Sequence, residues 1–209
     1  MSQPVNPRAY RSPRRREQAE ATRQTVLAAA HALFSTAGYS GTAVAEVARR
    51  AGVSVDTVYA SVGRKPQLLL AVHDEVLGGT DAEQRDYVRQ VRAAPDAAGK
   101  IATYAEALGR VLPRTVPLAE ALHVAGQTDE ACRAVAEALD ERRAANMRLF
   151  AADLRATGEL RDDLTDGEVG DLVWTMNSPQ YFRLVTSRGR DCAATVADVW
   201  TRTLLAAPR

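Results

Sequence analysis

From about residue 17 to the end of the chain, apolar residues recur three and four positions apart, and no apolar–polar alternation runs long enough to make a strand. A period of that kind gathers the apolar side chains into one stripe of a helix, and such helices are stable only when the stripe is buried against other helices. The expected fold class is therefore all-α. Val26, Leu27, Ala30, Leu33, Phe34 and Ala37 carry a first helix over about 17–37, with Gly38 as its stop. Later helices are expected over about 66–77, 82–93, 96–112, 115–125, 129–157, 166–186 and 191–206, divided at Pro95, Pro113, Pro117, Gly126 and Gly158. Pro179 should kink or split the penultimate one.

The stretch between Gly41 and Pro66 is punctuated differently, in short pieces. Thr42 is placed to cap a helix bearing Val44, Val47, Ala48 and Ala51, which Gly52 ends. Ser54 is placed to cap a second short helix, Val55 to about Ser61, which Gly63 breaks, and Pro66 suits the first turn of the next. Two short helices joined by Gly52-Val53-Ser54 have the layout of a helix-turn-helix, in which the second helix enters the major groove of DNA. Gly52 permits a left-handed turn, Val53 plugs the core beneath it, and Ser54 satisfies an amide at the start of the second helix. Val58 and Val62 read as core, and Asp56 reads first as a charge favoured by a helix N-terminus, with acceptance from a cytosine amino group as the other role.

Charge separates the two ends of the chain. Residues 1–65 hold nine arginines, one lysine and four acids, a net +6, while residues 66–209 carry a net −5. The first end suits a polyanion and the second does not. Residues 1–16 have three prolines and five arginines and read as a basic disordered arm, whose Arg8, Arg11, Arg14, Arg15 and Arg16 stand ahead of the reader as candidate phosphate or minor-groove contacts. The domain division expected is 1–16 arm, 17–65 helix-turn-helix domain, and 66–209 helical ligand-binding and dimerisation domain.

The pattern TxxxxVAxxAGVSxxTVYxxVxxKxxLL, from Thr42 to Leu69, together with AAHALFSTAGYSGT from Ala29 to Thr42, resembles the signature of the TetR family of transcriptional regulators. The likeness spans about 50 residues, and the remaining two thirds is similar in its helical layout only. It implies a DNA-binding set of Thr42, Ser54, Val55, Asp56, Thr57, Tyr59, Ser61, Arg64 and Lys65. Within that set, Thr57 and Tyr59 match positions that meet DNA, and Thr42 and Lys65 match phosphate clamps at the starts of their helices. Arg64 departs from the usual Ser or Asp and offers an added phosphate contact; Val62 stands where an aromatic is common. The resemblance further implies a homodimer paired through the last two helices, an inverted-repeat operator in double-stranded DNA, and a small apolar or aromatic effector. Tyr104, Leu108, Leu122, Met147, Phe150, Trp174, Asn177 and Tyr181 are the candidate ligand-binding residues, Leu112 is a further wall candidate, and His123 joins Asn177 as a polar group able to orient a ligand.

Other classes find little support. No glycine-rich phosphate loop, HExxH or GxSxG is present, and His31, His73 and His123 have no visible nucleophile beside them, so no catalytic or metal site and no cofactor is expected. Cys132 and Cys192 have no CxxC or histidine at metal spacing and read as reduced thiols. No apolar run is long enough to span a bilayer, so a cytoplasmic, membrane-free protein is expected. The expected function is a repressor released from its operator by a small molecule, the alternative being a constitutive or activating DNA-binding protein without a ligand.

Overall fold

The computed structural model describes residues 13–78 and 81–206. Residues 1–12 of the arm expected at 1–16 lie outside the described residues, and 13–16, expected to be disordered, instead form the first turn of α1. Among the described residues ten helices follow one another: α1 (Pro13–Gly41), α2 (Val44–Ala51), α3 (Val55–Val62), α4 (Lys65–Gly78), α5 (Asp81–Ala93), α6 (Ala97–Gly126), α7 (Glu130–Arg155), α8 (Asp166–Met176), α9 (Pro179–Thr186) and α10 (Cys192–Leu204). Among the described residues the single β-type feature is an isolated bridge between Leu160 and Leu205. The all-α expectation holds.

Besides that earlier start of α1, two boundaries differ from the sequence reading. Gly38 breaks α1 with φ 70° and ψ 176°, but the chain regains a helical turn and runs on to Gly41. The second concerns Pro113 and Pro117, which lie inside one 30-residue helix and do not divide it. Each proline removes one backbone N–H and crowds the carbonyl four residues earlier. Both prolines are solvent-exposed, while Leu112, Val116, Leu118 and Leu122 bury the opposite side of α6, so tertiary packing holds the helix through the defect. Pro179 does split its helix: Asn177 ends α8, and Ser178 starts α9 by accepting the Tyr181 amide at 3.0 Å.

Packing is organised as two apolar clusters. One joins α1, α2 and α3 to Leu68, Leu69 and Val72 of α4, and also takes in Leu122 of α6 and Cys132 of α7. The other fills the space among α5–α10 around Tyr104, Phe150 and Trp200, whose ring centroids are 4.4–5.9 Å apart. Helix α4 is therefore shared: one side completes the N-terminal core, and its far turn reaches the C-terminal half. Lys100, almost fully buried, fastens the second cluster by donating to the Val91 and Arg92 carbonyls at 3.1 Å each and to Asp153 at 3.0 Å. All three ammonium donors are spent, the condition under which burying such a charge is tolerated.

Candidate functional site

The turn between α2 and α3 is built as its residues demand. Gly52 sits in the left-handed region, φ 68° and ψ 30°, and its amide reaches back to the Ala48 and Arg49 carbonyls to close α2. Val53 is half-buried against the N-terminal core. Ser54 caps α3: its Oγ accepts the Thr57 amide at 3.1 Å and lies 2.8 Å from Thr57 Oγ1.

Helix α3 then has a buried side and a free side. Val58 is fully buried and anchors the helix, Val55 and Val62 are half-buried, and Asp56, Tyr59 and Ala60 face solvent, Tyr59 with 46% of its surface exposed. Thr57 and Ser61 lie between these, and Ser61 Oγ donates to the Val58 carbonyl. Arg64 is exposed beyond the end of α3. Thr42 is not a helix cap. Ala43 takes the N-cap position of α2 without a side-chain bond, and the nearly buried Thr42 gives its hydroxyl to the Gly38 carbonyl at 2.8 Å, where the break in α1 leaves that carbonyl free. Lys65 starts α4 with its Nζ 4.2 Å above the Tyr39 ring, and burial pushes its ammonium below the ordinary lysine value. Tyr39 Oη in turn meets Cys132 Sγ at 2.9 Å, so the starts of α4 and α7 are tied through the end of α1.

One contributor escaped the sequence reading. Arg23 of α1 donates to the Ser61 carbonyl at 3.1 Å, closing the C-terminal end of α3 from 38 residues away. No local spacing signals a contact between residues so far apart in sequence.

The second feature is a cavity of about 600 Å³ bounded by α4, α5, α6, α7 and the α8–α9 junction. Of the candidate ligand residues, Tyr104, Leu108, Met147, Phe150 and Asn177 line it, as does Leu112. Asn177 Nδ2 donates to Tyr104 Oη at 3.2 Å and meets Met147 Sδ at the same distance, so three of these side chains hold one another. Leu122, Trp174 and Tyr181 do not line it. Leu122 is buried in the N-terminal cluster, one turn of α6 past the cavity. Trp174 lies under the Arg143 guanidinium, 4.9 Å from its ring centre, where Arg143 also ties off α8 by donating to the Trp174 and Asn177 carbonyls at 2.8 and 2.7 Å. Tyr181 packs half-exposed on the C-terminal core. Charged residues that sequence reasoning did not single out also reach the wall, among them His73, Arg92, Asp140 and Arg142.

His123 is also off the wall, and it joins two helices. Its Nδ1 is 2.8 Å from the Ala119 carbonyl and its Nε2 is 2.9 Å from Asp140. Both partners only accept, so the site favours the protonated ring, which can donate from both nitrogens. Burial and Arg143 work against the charge, but the Ala119 carbonyl and the Asp140 carboxylate prevail and raise its pKa above 6.5. A raised folded-state value contributes stability in full below the unfolded pKa and loses it as pH rises through the folded one. Thermal unfolding of wild type and His123→Gln from pH 5.5 to 8.5 is therefore expected to show the wild-type advantage shrinking as pH rises above about 6.5. A difference independent of pH would mean that the ring is neutral throughout.

A left-handed glycine turn, a capped second helix with an open polar side, and a cavity resting on the helix that follows define a helix-turn-helix domain joined to an all-helical half that encloses a cavity. Residues 26–72 match the family described as bacterial regulatory proteins, tetR family. The whole fold is similar to a TetR transcriptional regulator from Chloroflexus aurantiacus (17% identity, 91% of this chain and 100% of that chain, TM-score 0.65). It is also similar to a protein of Saccharomonospora viridis in complex with choline (14%, 90% and 100%, TM-score 0.68) and to SmeT, the repressor of the Stenotrophomonas maltophilia multidrug efflux pump SmeDEF (17%, 90% and 92%, TM-score 0.61). No curated protein gives a significant match. Residues 26–72 are thus a helix-turn-helix of the tetR family, and the whole chain shares the fold of TetR-family regulators.

Proposed function

We propose that this chain is a cytoplasmic repressor that binds an inverted-repeat operator as a homodimer and is released by a small, largely apolar molecule held in the cavity among α4–α7. The observation that carries this reading is the double duty of α4. Leu68, Leu69 and Val72 belong to the core that positions α3, while His73 and Leu77 of the same helix line the cavity. A ligand there touches the element on which the reader is mounted, and it shifts repression by as much as it prefers one placement of α4 over another.

In this reading residues 17–65 are the reader, 66–209 the sensing and dimerising part, and the 1–16 arm an added basic contact. Tyr59, Thr57 and Asp56 face the groove. Arg64, Lys65, Ser61 and the amides at the starts of α2 and α3, beside Thr42 and at Ser54 and Val55, take phosphates. The helices after residue 165 pair across the two-fold axis; Leu172 and Leu184 are exposed on them, Leu184 with 69% of its surface free. SmeT, similar in fold, is the repressor of an efflux pump, and the Saccharomonospora viridis protein holds choline, so both parts of the reading have precedent within the fold.

Selection from a random DNA pool is expected to return an inverted repeat with half-sites about one helical turn apart, roughly 34–36 Å. Recovery of a single unrepeated half-site, or of no preferred sequence, would overturn the dimeric-reader reading.

A further inference from the structure

The cavity is elongated along α6 and α7. Its lining runs on α6 from Tyr104 to Ala119 and on α7 from Leu139 to Asp153, spans of about 22 and 21 Å at the helical rise. The two stretches lie side by side in opposite directions: Tyr104 stacks on Phe150 near one end, and His123, one turn past Ala119, bonds to Asp140 at the other. A slot of that length takes an extended alkyl chain or a row of flat rings laid along it. The α6 wall carries no charged side chain; Leu108, Val111, Leu112 and Val116 make it apolar.

Charged groups reach the slot from the other helices, and nearly all are already answered. Asp140 is held by His123 and Arg143, Asp153 by Lys100, and Arg142 by Asp74, which also faces His73. Arg143, paired with Asp140, also donates from Nη1 to the Trp174 and Asn177 carbonyls. Arg92 differs: at the end of α5, its side chain is solvent-exposed and has no ion-pair or hydrogen-bond partner among the described residues. It stands at the Asp153 end of the slot, because Lys100 joins the Arg92 carbonyl to the Asp153 carboxylate. No lining carboxylate is left without a cation, so the slot offers an incoming molecule one unanswered positive charge and no negative one.

Resting on the reading of this cavity as the effector site, we propose that its ligand is an elongated amphiphile with a single carboxylate head at Arg92 and an apolar chain laid between α6 and α7 toward α4. The tail then ends near Leu77 and His73, on the helix shared with the reader.

Calorimetric titration of the full chain with straight-chain carboxylic acids of six to sixteen carbons, each below its micelle concentration, tests this beside the matched alcohols and trimethylammonium salts. Affinity for the acids should rise about fourfold per methylene until the slot is full, and each acid should bind about tenfold tighter than its alcohol. Arg92→Ala, a surface change, should make acid and alcohol equal while keeping the dependence on chain length. Ala107→Trp, which fills the slot, should remove that dependence in a protein that still unfolds cooperatively. Equal binding of acids and alcohols to the wild type, or tighter binding of the ammonium salts, would overturn the carboxylate assignment and leave the cavity reading standing. Failure of every chain, whatever its head, to bind would overturn the effector reading itself.

Discussion

Replacing Trp200 by alanine is expected to cost about 3–5 kcal/mol of folding stability, the largest loss from any single truncation in this chain. Trp200 is fully buried in α10, and its ring lies 5.9 Å from both Tyr104 and Phe150, the stacked pair that forms one end of the cavity. Truncation removes the packing of three aromatic rings and lets the cavity wall sag, so chemical denaturation should show a lower midpoint together with weaker binding of any cavity ligand. The indole Nε1 has no acceptor among the described residues, so Trp200→Phe gives up no hydrogen bond to them and should cost much less than the alanine change. A Trp200→Ala protein within about 1 kcal/mol of wild type would mean that α10 does not hold this core.

Tyr59→Ala is expected to weaken operator binding by about 1–3 kcal/mol, roughly 5- to 150-fold, with the unfolding midpoint nearly unchanged. The tyrosine is 46% exposed on the open side of α3, whereas its neighbour Val58 is wholly buried, so the change removes a contact without hollowing the core. Val58→Ala should do the opposite, lowering stability first. Arg64→Ala should reduce affinity for all DNA sequences alike and lower the salt slope by about one unit, the mark of a phosphate contact. Anisotropy titrations on the selected operator at several salt concentrations separate the three. Wild-type affinity in Tyr59→Ala at equal salt would show that another side of the reader meets DNA.

The reader domain was legible because its chemistry is local. A left-handed turn calls for Gly52, an N-cap calls for Ser54 three residues before the amide it accepts, and a two-turn helix with Val58 as its buried anchor shows its period within eight residues. The cavity was legible only in part. The apolar residues of α6, α7 and α8 repeat at the same spacing whether they face the slot or the solid core, so periodicity could not separate Leu108 and Met147, on the wall, from Leu122 and Trp174, off it. The arginines were harder still. Arg23 bonds across 38 residues, and Arg142 reaches Asp74 across 68.

The sequence by itself determined the all-helical class, the turn, the capped reader helix and the split at Pro179, since each follows from backbone preferences and hydrogen bonds within a few residues. Tertiary structure alone decided that α6 runs unbroken through two prolines, that Thr42 turns inward to Gly38, and that α4 serves reader and cavity together. It also decided which charges at the slot are answered and which one is not. These outcomes depend on which helix faces are pressed together, and that choice is made by burial summed over the whole chain, which no local stretch of sequence carries.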